Sequence, residues 1–280
     1  MAIMNITACR IFEDEVVNVI ENDQNIDGVI VVENSDCCGI VQKLEDAGCS
    51  HKVLPLEKIP FKSGREDPNR FSVIVNMLEL SFHGAPKTLK EEVYTNVKNM
   101  ANYSDGILLF YGLCGNIFRK LEDDFESLSC PVYMLKEDSG EIVDDCIGAI
   151  LGGRDTYYNL LTSFNGRRTL LMTPMWILNW REMFRYGGFT TDPDDIETTK
   201  FVLDSLGYKT IGKVNTGLSY MKDFENKVDE FAKTFGFDVI EIDGNQELIE
   251  KCYRQFKNEM LTHKDNMSFE NLTYISKQMA

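Results

Sequence analysis

Three cysteines and one histidine in this sequence have the side-chain types and surroundings to bind a metal ion. They are Cys9 in ITACRIF, His83 in SFHGAP, Cys114 in YGLCGN and Cys146 in EIVDDCIGAILGGR. Three thiolates and one imidazole suit Zn²⁺, while soft sulfur ligands also bind iron or contact a cobalt centre. The set predicts a metal site, with zinc as the first expectation and iron or a corrinoid contact as alternatives.

A purely structural role is the competing interpretation of the same four residues. Free cysteine is among the most buried residue types, so each cysteine would pack as a small apolar side chain. His83 would then be a turn residue that bonds to the backbone. The long spacing between the four positions carries less weight than a paired C-x-x-C motif, so both interpretations stay open.

Gly112 and Gly115 stand on either side of Cys114 and are predicted to bind a cofactor. Glycine lacks a Cβ atom, so its backbone can approach a ligand closely and take conformations that other residues avoid. We therefore expect a ligand to touch the main chain at this loop. Cys114, in the same loop, is the expected exchangeable metal ligand.

Asp145 and Arg154 complete the predicted cofactor-binding residues. Asp145 lies in the first turn of a predicted helix, where the helix dipole favours a carboxylate. Arg154 has two interpretations of equal weight. It would clamp a carboxylate or phosphate with two hydrogen bonds, or it would pair with Asp155 or Glu141 on the surface.

The elements that must position these residues alternate between short β-rich runs and amphipathic helices. This alternation is typical of parallel sheets with right-handed crossovers. Strands are predicted at residues 5–11, 28–32, 52–56, 73–78, 106–111, 132–135, 169–172, 209–214 and 238–242, and helices at residues 13–22, 36–47, 87–103, 117–128, 143–161, 176–184, 195–206 and 222–235. Cys9, His83 and Cys114 lie at or just after strand ends, where α/β proteins place their sites.

We expect an α/β protein with Rossmann-like parallel sheets in two lobes around a central cleft. The stretch 186–195, rich in Gly, Thr and Asp, is the candidate linker, and residues 60–70 are the candidate loop of the N-terminal half. The predicted domains are residues 1–187, an N-terminal Rossmann-like lobe with the Cys/His site, and residues 188–280, a C-terminal α/β lobe.

Composition limits the partners. The chain of 280 residues has a formal net charge of −16, which disfavours nucleic acid and anionic membranes, because both are bound largely through Lys and Arg. No apolar run approaches the roughly 20 residues of a membrane span, and the first residues do not resemble a secretory signal. The eight scattered cysteines are expected to be free thiols, buried small apolar residues, metal ligands or catalytic groups, and not a disulfide framework. We therefore expect a cytoplasmic protein.

Four blocks of the sequence resemble the uncharacterised family catalogued as domain of unknown function 1638, found in methanogenic archaea and anaerobic bacteria. The blocks are ITACRIFEDEV, LSFHGAPKTLKEEV, DGILLFYGLCGN and DDCIGAILGGRDTYY, which together span residues 5–160. The resemblance implies that Cys9, His83, Cys114 and Cys146 are a recurring polar centre. In place of the family's usual G-T-x-Y-x-T-x-G-W stretch this chain has RRTLLMTPMW, and little likeness is expected in the C-terminal third.

The resemblance also implies a function, because such proteins are often encoded beside corrinoid proteins and methyltransferases. The expected function is that of a metal- or cofactor-binding accessory protein of corrinoid-dependent methyl transfer, with a corrinoid protein or methyltransferase as partner. The alternative is a non-catalytic α/β module that binds a small ligand or a corrinoid protein partner. A nucleotide-binding enzyme is a third, weaker expectation, because the usual phosphate-binding motifs are absent from the sequence.

Overall fold

The computed structural model describes residues 2–62 and 70–278, with side chains as far as Thr262. The loop predicted at residues 60–70 therefore lies largely outside the described residues. In the described ranges no helix combines the length and the apolar character that crossing a bilayer requires.

Six parallel strands form the first sheet. They are β1 (Ala2–Cys9), β2 (Gly28–Val32), β3 (His51–Leu54), β4 (Phe71–Leu78), β5 (Gly106–Phe110) and β6 (Val132–Met134), and their order across the sheet is β3-β2-β4-β1-β5-β6. The two central strands, β1 and β4, are buried at every residue. Their nearly continuous apolar sequences match this position, because a parallel sheet is covered on both faces.

The helices of this first part follow the strands along the chain. They are α1 (Glu13–Glu21), α2 (Cys37–Asp46), α3 (Pro86–Met100), α4 (Leu121–Asp124), α5 (Cys146–Ile150) and α6 (Arg154–Ser163). The helix predicted at residues 143–161 is thus two helices. Gly152 and Gly153 separate them with φ angles of 85° and 111°, a region that other residues rarely enter.

The strand order creates a switch point between β1 and β4. From β1 the chain runs through α1 to β2 on one side, and from β4 it runs through α3 to β5 on the other. Because crossovers between parallel strands are right-handed, α1 and α3 lie on opposite faces of the sheet, and the loops after β1 and β4 diverge. Open α/β sheets bind ligands in the crevice at such a point.

Three parallel strands form the second sheet, in the order β7-β8-β9. Its elements are β7 (Arg168–Met172), β8 (Tyr208–Asn215) and β9 (Asp238–Asp243), with α7 (Pro174–Leu178), α8 (Trp180–Tyr186), α9 (Ile196–Ser205) and α10 (Phe224–Phe235). The mixed α/β architecture with two parallel sheets confirms the predicted fold class.

The last helix, α11 (Glu247–Gln278), was not predicted, and it returns to the first sheet. A Cβ atom on Gly106 of β5 would lie 2.8 Å from Phe256 and 2.9 Å from Met260 of this helix. The second sheet therefore takes β7 from before residue 188, while α11 packs on the first sheet. A division into folding units at residues 1–187 and 188–280 stays a prediction.

Candidate ligand pocket at the switch point

A pocket of about 220 Å³ lies at the carboxyl ends of β1, β4 and β5. Cys9, His83, Cys114 and Cys146, the four predicted metal ligands, all line it. Strand order is the physical cause, because β1 has β4 and β5 as its two neighbours and all three strands run in the same direction. The residues that follow these strands therefore meet at one edge of the sheet.

Each of the four side chains is held by a different local structure. Cys9 is the last residue of β1, and His83 lies in the 3₁₀ turn Leu80–Gly84. Cys114 has a φ angle of 45°, which is unusual outside glycine, and its backbone N–H donates to the Asp144 carbonyl at 3.2 Å. Cys146 is the first residue of α5.

The hydrogen bonds of His83 fix which ring nitrogen faces the pocket. Nδ1 lies 3.2 Å from the Leu80 carbonyl oxygen, which can only accept, so Nδ1 carries the proton. Nε2 then presents its lone pair 3.9 Å from the Cys9 Sγ atom. Burial lowers the pKa of His83, so the ring is neutral at pH 7. A neutral imidazole oriented through a backbone carbonyl is the form in which histidine binds metals.

The three thiols lie in surroundings that keep them protonated. Burial raises the pKa of both Cys9 and Cys114 to about 12. Burial and then the nearby Asp145 carboxylate raise the pKa of Cys146. A bound cation would reverse this balance, because a coordinated thiol loses its proton. In the described part of the chain, however, no group of three or more His, Cys, Asp or Glu side chains is placed to hold a metal ion.

Gly112, a predicted cofactor-binding residue, lines the pocket and packs against the chain itself. A Cβ atom there would lie 2.7 Å from the Asp145 Cα atom and 2.9 Å from the Val143 carbonyl oxygen. This contact allows the Leu113 N–H to donate to the Val143 carbonyl at 2.8 Å. Gly115 has a φ angle of 74° and open space around its Cα atom, so it serves the turn after Cys114. A role for either glycine in cofactor binding stays a prediction.

Asp145 and Arg154, the other two predicted cofactor-binding residues, lie differently with respect to the pocket. Asp145 lines it and also caps α5, since its Oδ1 accepts from the Gly148 N–H at 2.7 Å. Arg154 lies outside the pocket lining and pairs with Glu141 at 2.7 Å and Asp144 at 3.1 Å. These contacts agree with the interpretation in which Arg154 pairs with surface carboxylates. Glu141 is one of the two partners expected, and Asp144 takes the place expected for Asp155. A role in binding a cofactor stays a prediction for both.

Sequence reasoning missed the rest of the lining. Apolar side chains form the walls, and one hydroxyl group joins them: Ile11, Phe12, Pro86, Leu89, Tyr111 and Met183. Met183 belongs to α8, which lies between β7 and β8 in the chain, so the segment that forms the second sheet also contributes to the pocket. The position of Tyr111 directly before Gly112, at the end of a predicted strand, was the available signal.

We expect Gly112→Ala to lower the free energy of unfolding by about 1–3 kcal/mol, because its Cβ atom would collide with backbone atoms that cannot rotate away. Denaturant unfolding measures the change. Gly28→Ala is the matched control, since its Cβ atom would meet only the Ser72 hydroxyl, at 3.4 Å. Equal stability of Gly112→Ala and Gly28→Ala would contradict the close approach of residues 112 and 145.

Comparison with known proteins adds a family and no function. A family model described as "Protein of unknown function (DUF1638)" matches residues 77–253, which include His83, Cys114, Cys146 and the whole second sheet. The expectation of little likeness in the C-terminal third is wrong, because this match continues through β9 and into α11. No curated protein and no solved structure matches the chain.

Proposed function

The chain belongs to the DUF1638 family, whose model matches more than half of its length, and from the pocket we propose that it binds one thiophilic metal ion. Zinc is the first choice, with iron as the alternative. Cys9, His83, Cys114 and Cys146 would be the ligands, because they are the soft donors that share one lining.

The orientation of His83 is the observation that carries this proposal. Its proton is committed to the Leu80 carbonyl, and its free lone pair is directed toward the Cys9 thiol inside the pocket. The bond to the Leu80 carbonyl would also suit a purely structural turn residue, so the part of this geometry that favours a ligand is the direction of Nε2 toward Cys9. Outer hydrogen bonds of this kind orient most metal-binding histidines and make them better donors.

Metal binding would require the donor side chains to approach one another. Cysteine side chains change position by rotation about a single bond, and the Cys114 loop is anchored to residues 143–144 by backbone hydrogen bonds at 2.8 and 3.2 Å. We therefore propose that side-chain rotation, with the backbone held in place, closes the site. Bound zinc would supply Lewis acidity and stabilise thiolates at neutral pH.

The proposal is tested by titrating metal-free protein with zinc in competition with a chromophoric chelator. The wild type should bind about one equivalent, and His83→Gln, Cys114→Ser and Cys146→Ser should each weaken binding by about tenfold or more. Cys130→Ser is the matched control, because Cys130 is buried and lies outside the pocket. Circular dichroism of each variant would show whether the fold is retained.

Two other outcomes of this titration count against a metal site. Equal zinc affinity for wild type and all three ligand variants would exclude these residues as ligands. Loss of folded structure in metal-free Cys114→Ser and Cys146→Ser, with no zinc bound by the wild type, would support a structural role for the cysteines.

A role in corrinoid-dependent methyl transfer is the finer part of the proposal, and it is supported by the resemblance of the sequence blocks. Soft sulfur donors at one pocket are compatible with contact to a cobalt centre. Titration of the protein with hydroxocobalamin, followed through the visible absorption spectrum, tests it. A spectral change that disappears in Cys114→Ser would support the role, and an unchanged spectrum with wild-type protein would oppose it.

Binding of a small ligand without catalysis is the second candidate function. The apolar walls from Ile11, Phe12, Leu89 and Met183 favour it, since a site for a metal ion alone does not need them. Ligand binding that survives complete removal of metal would support this candidate.

A further inference from the structure

We infer that the turn after Cys114 binds a phosphate group, through the backbone N–H groups of residues 115–117 and the side chains of Arg119 and Lys120. This site lies beside the proposed metal pocket and requires no metal, so it is additional to the proposed function. Three features of the turn point to it: the backbone conformation, the unbonded N–H groups and the two cations.

Three successive residues of this turn have left-handed backbone conformations. The φ angles are 45° for Cys114, 74° for Gly115 and 69° for Asn116. This region costs residues other than glycine roughly 1–2 kcal/mol each, and such strain is concentrated at functional sites. Because the same conformation repeats, the N–H groups of the turn point in one direction, as they do at the start of a helix.

The N–H groups that this conformation aligns are available to a ligand. The Cys114 N–H donates to the Asp144 carbonyl at 3.2 Å, but the N–H groups of Gly115, Asn116 and Ile117 donate to none of the described residues. Gly115 and Asn116 are exposed, so a solute can reach the turn. Successive N–H groups in a turn form the concave anion sites of many phosphate-binding proteins.

The turn is held in this conformation without a ligand. The Leu113 N–H donates to the Val143 carbonyl at 2.8 Å, and the Phe118 N–H donates to the Leu113 carbonyl at 3.5 Å. The Phe118 ring is fully buried and contacts the Tyr111 ring edge-to-face at 5.6 Å. A preformed turn does not have to be ordered when an anion binds, and this favours affinity.

Two cations leave the same turn. The Arg119 N–H donates to the Asn116 carbonyl at 3.4 Å, and Lys120 follows directly. Both residues are exposed, and their side chains form no hydrogen bond or ion pair within the part of the chain that the structure describes. Arginine can bind a phosphate through two parallel hydrogen bonds, and lysine binds it as a point charge.

The acidic residues of α4 do not neutralise these cations. Glu122 bonds to Lys136 at 2.6 Å, and Asp124 accepts from the Tyr94 hydroxyl at 2.6 Å. Asp123 forms no ion pair with any residue in the described ranges. Arg119 and Lys120 therefore keep their charge for a ligand.

The carboxylates on the other side of the turn are also engaged. Asp144 pairs with Arg154 at 3.1 Å, and the Asp145 Oδ1 atom accepts from the Gly148 N–H at 2.7 Å. Three N–H donors and two cations remain. This set suits a phosphate dianion better than a carboxylate, because a phosphate group has more oxygen atoms to accept from them and twice the charge.

The inference is tested by adding inorganic phosphate to the full, metal-free chain while the backbone amide resonances are recorded. The amide protons of residues 115–117 should shift downfield as they bond to the anion. The amides of β2, which bond within the first sheet, should not move.

Substitutions test the two cations. Arg119→Gln and Lys120→Gln should each weaken phosphate binding by about threefold to tenfold, and the double variant should weaken it further. Both side chains are exposed, so the melting temperature should stay that of the wild type. Lys98→Gln is the matched control, because Lys98 is an exposed lysine in the last turn of α3, before the amino end of β5 and therefore at the opposite edge of the sheet.

Phenyl phosphate separates two sources of the phosphate group. Tighter binding of phenyl phosphate than of inorganic phosphate would support a phosphate monoester whose apolar body enters the neighbouring pocket. Equal binding would support the free ion as the ligand.

Three outcomes would overturn the inference. They are no binding at millimolar phosphate, shifts confined to residues outside 115–117, and equal affinity for wild type, Arg119→Gln and Lys120→Gln. Because the titration contains no metal, zinc uptake without phosphate binding would overturn this inference alone. Phosphate binding by a chain that takes up no zinc would support it and count against the metal proposal.

Discussion

Replacement of Lys43 by methionine is expected to lower the free energy of unfolding by about 3–5 kcal/mol, because it leaves buried carboxylates without their cation. The Lys43 ammonium lies 2.9 Å from the Glu13 Oε2 atom and 2.7 Å from the Asp14 Oδ1 atom. Both carboxylates are buried in the first turn of α1. Burial alone would lower the pKa of Lys43, but the two carboxylates raise it overall. The ammonium therefore stays charged.

A matched control for this prediction exists in the second sheet. Lys213 of β8 has a buried side chain and also pairs with two carboxylates, Glu225 and Glu241, but those are 71% and 60% exposed. Water can solvate them after Lys213→Met, so the loss should be about 1 kcal/mol or less. Denaturant unfolding of both variants tests the difference. Equal losses in Lys43→Met and Lys213→Met would contradict the account of a buried ion cluster.

The free energy of unfolding should also fall as the pH rises from about 4.5 to about 8, because of Glu15. Burial and then the charge of Asp14 raise the pKa of Glu15 from 4.5 to about 8. The folded protein therefore holds a proton that the unfolded chain releases. The stabilisation is complete below pH 4.5 and is lost as the pH approaches 8, by an amount on the order of 3–5 kcal/mol.

Glu15→Gln isolates this contribution, because the amide keeps the shape of the protonated acid and does not titrate. The difference in unfolding free energy between wild type and variant should change steadily across pH 4.5–8, in favour of the variant at the alkaline end. Burial raises the pKa of Glu13 as well, so part of the same trend should remain in Glu15→Gln. Parallel stability curves for the two proteins would show that Glu15 is ionised when folded.

The acidic start of α1 shows why part of the structure could not be predicted from sequence. Glu13, Asp14 and Glu15 have the pattern of an exposed helix N-terminus, where acidic residues are favoured by the dipole. They are buried because α2 packs against α1 and because residues that follow β7 and β9 lie beside them. Lys43 contacts the Met175 sulfur at 2.7 Å, and Gln246, just before α11, lies beside Glu15. Such contacts between distant parts of the chain leave no local signal.

The strands were predicted because each is a short apolar run between loop residues, as in GVIVV and GILLF. Whether Cys9, His83 and Cys114 meet was not predictable from those runs, since it depends on β4 pairing with β1. The helix predicted at residues 143–161 was wrong in extent, because Gly152 and Gly153 turn the chain between α5 and α6. Met183 of the pocket wall could not be predicted because it comes from α8, beyond the four sequence blocks, and the apolar wall residues inside those blocks have no chemical signal of their own.

The most direct test of the central claim is the metal content of the full chain purified without oxygen, measured by plasma mass spectrometry for wild type and His83→Gln. A pocket that binds zinc through Cys9, His83, Cys114 and Cys146 predicts about one equivalent of zinc in the wild type and a large loss in the variant. The contradicting result is a wild-type protein that contains no metal and takes up none after incubation with zinc and gel filtration.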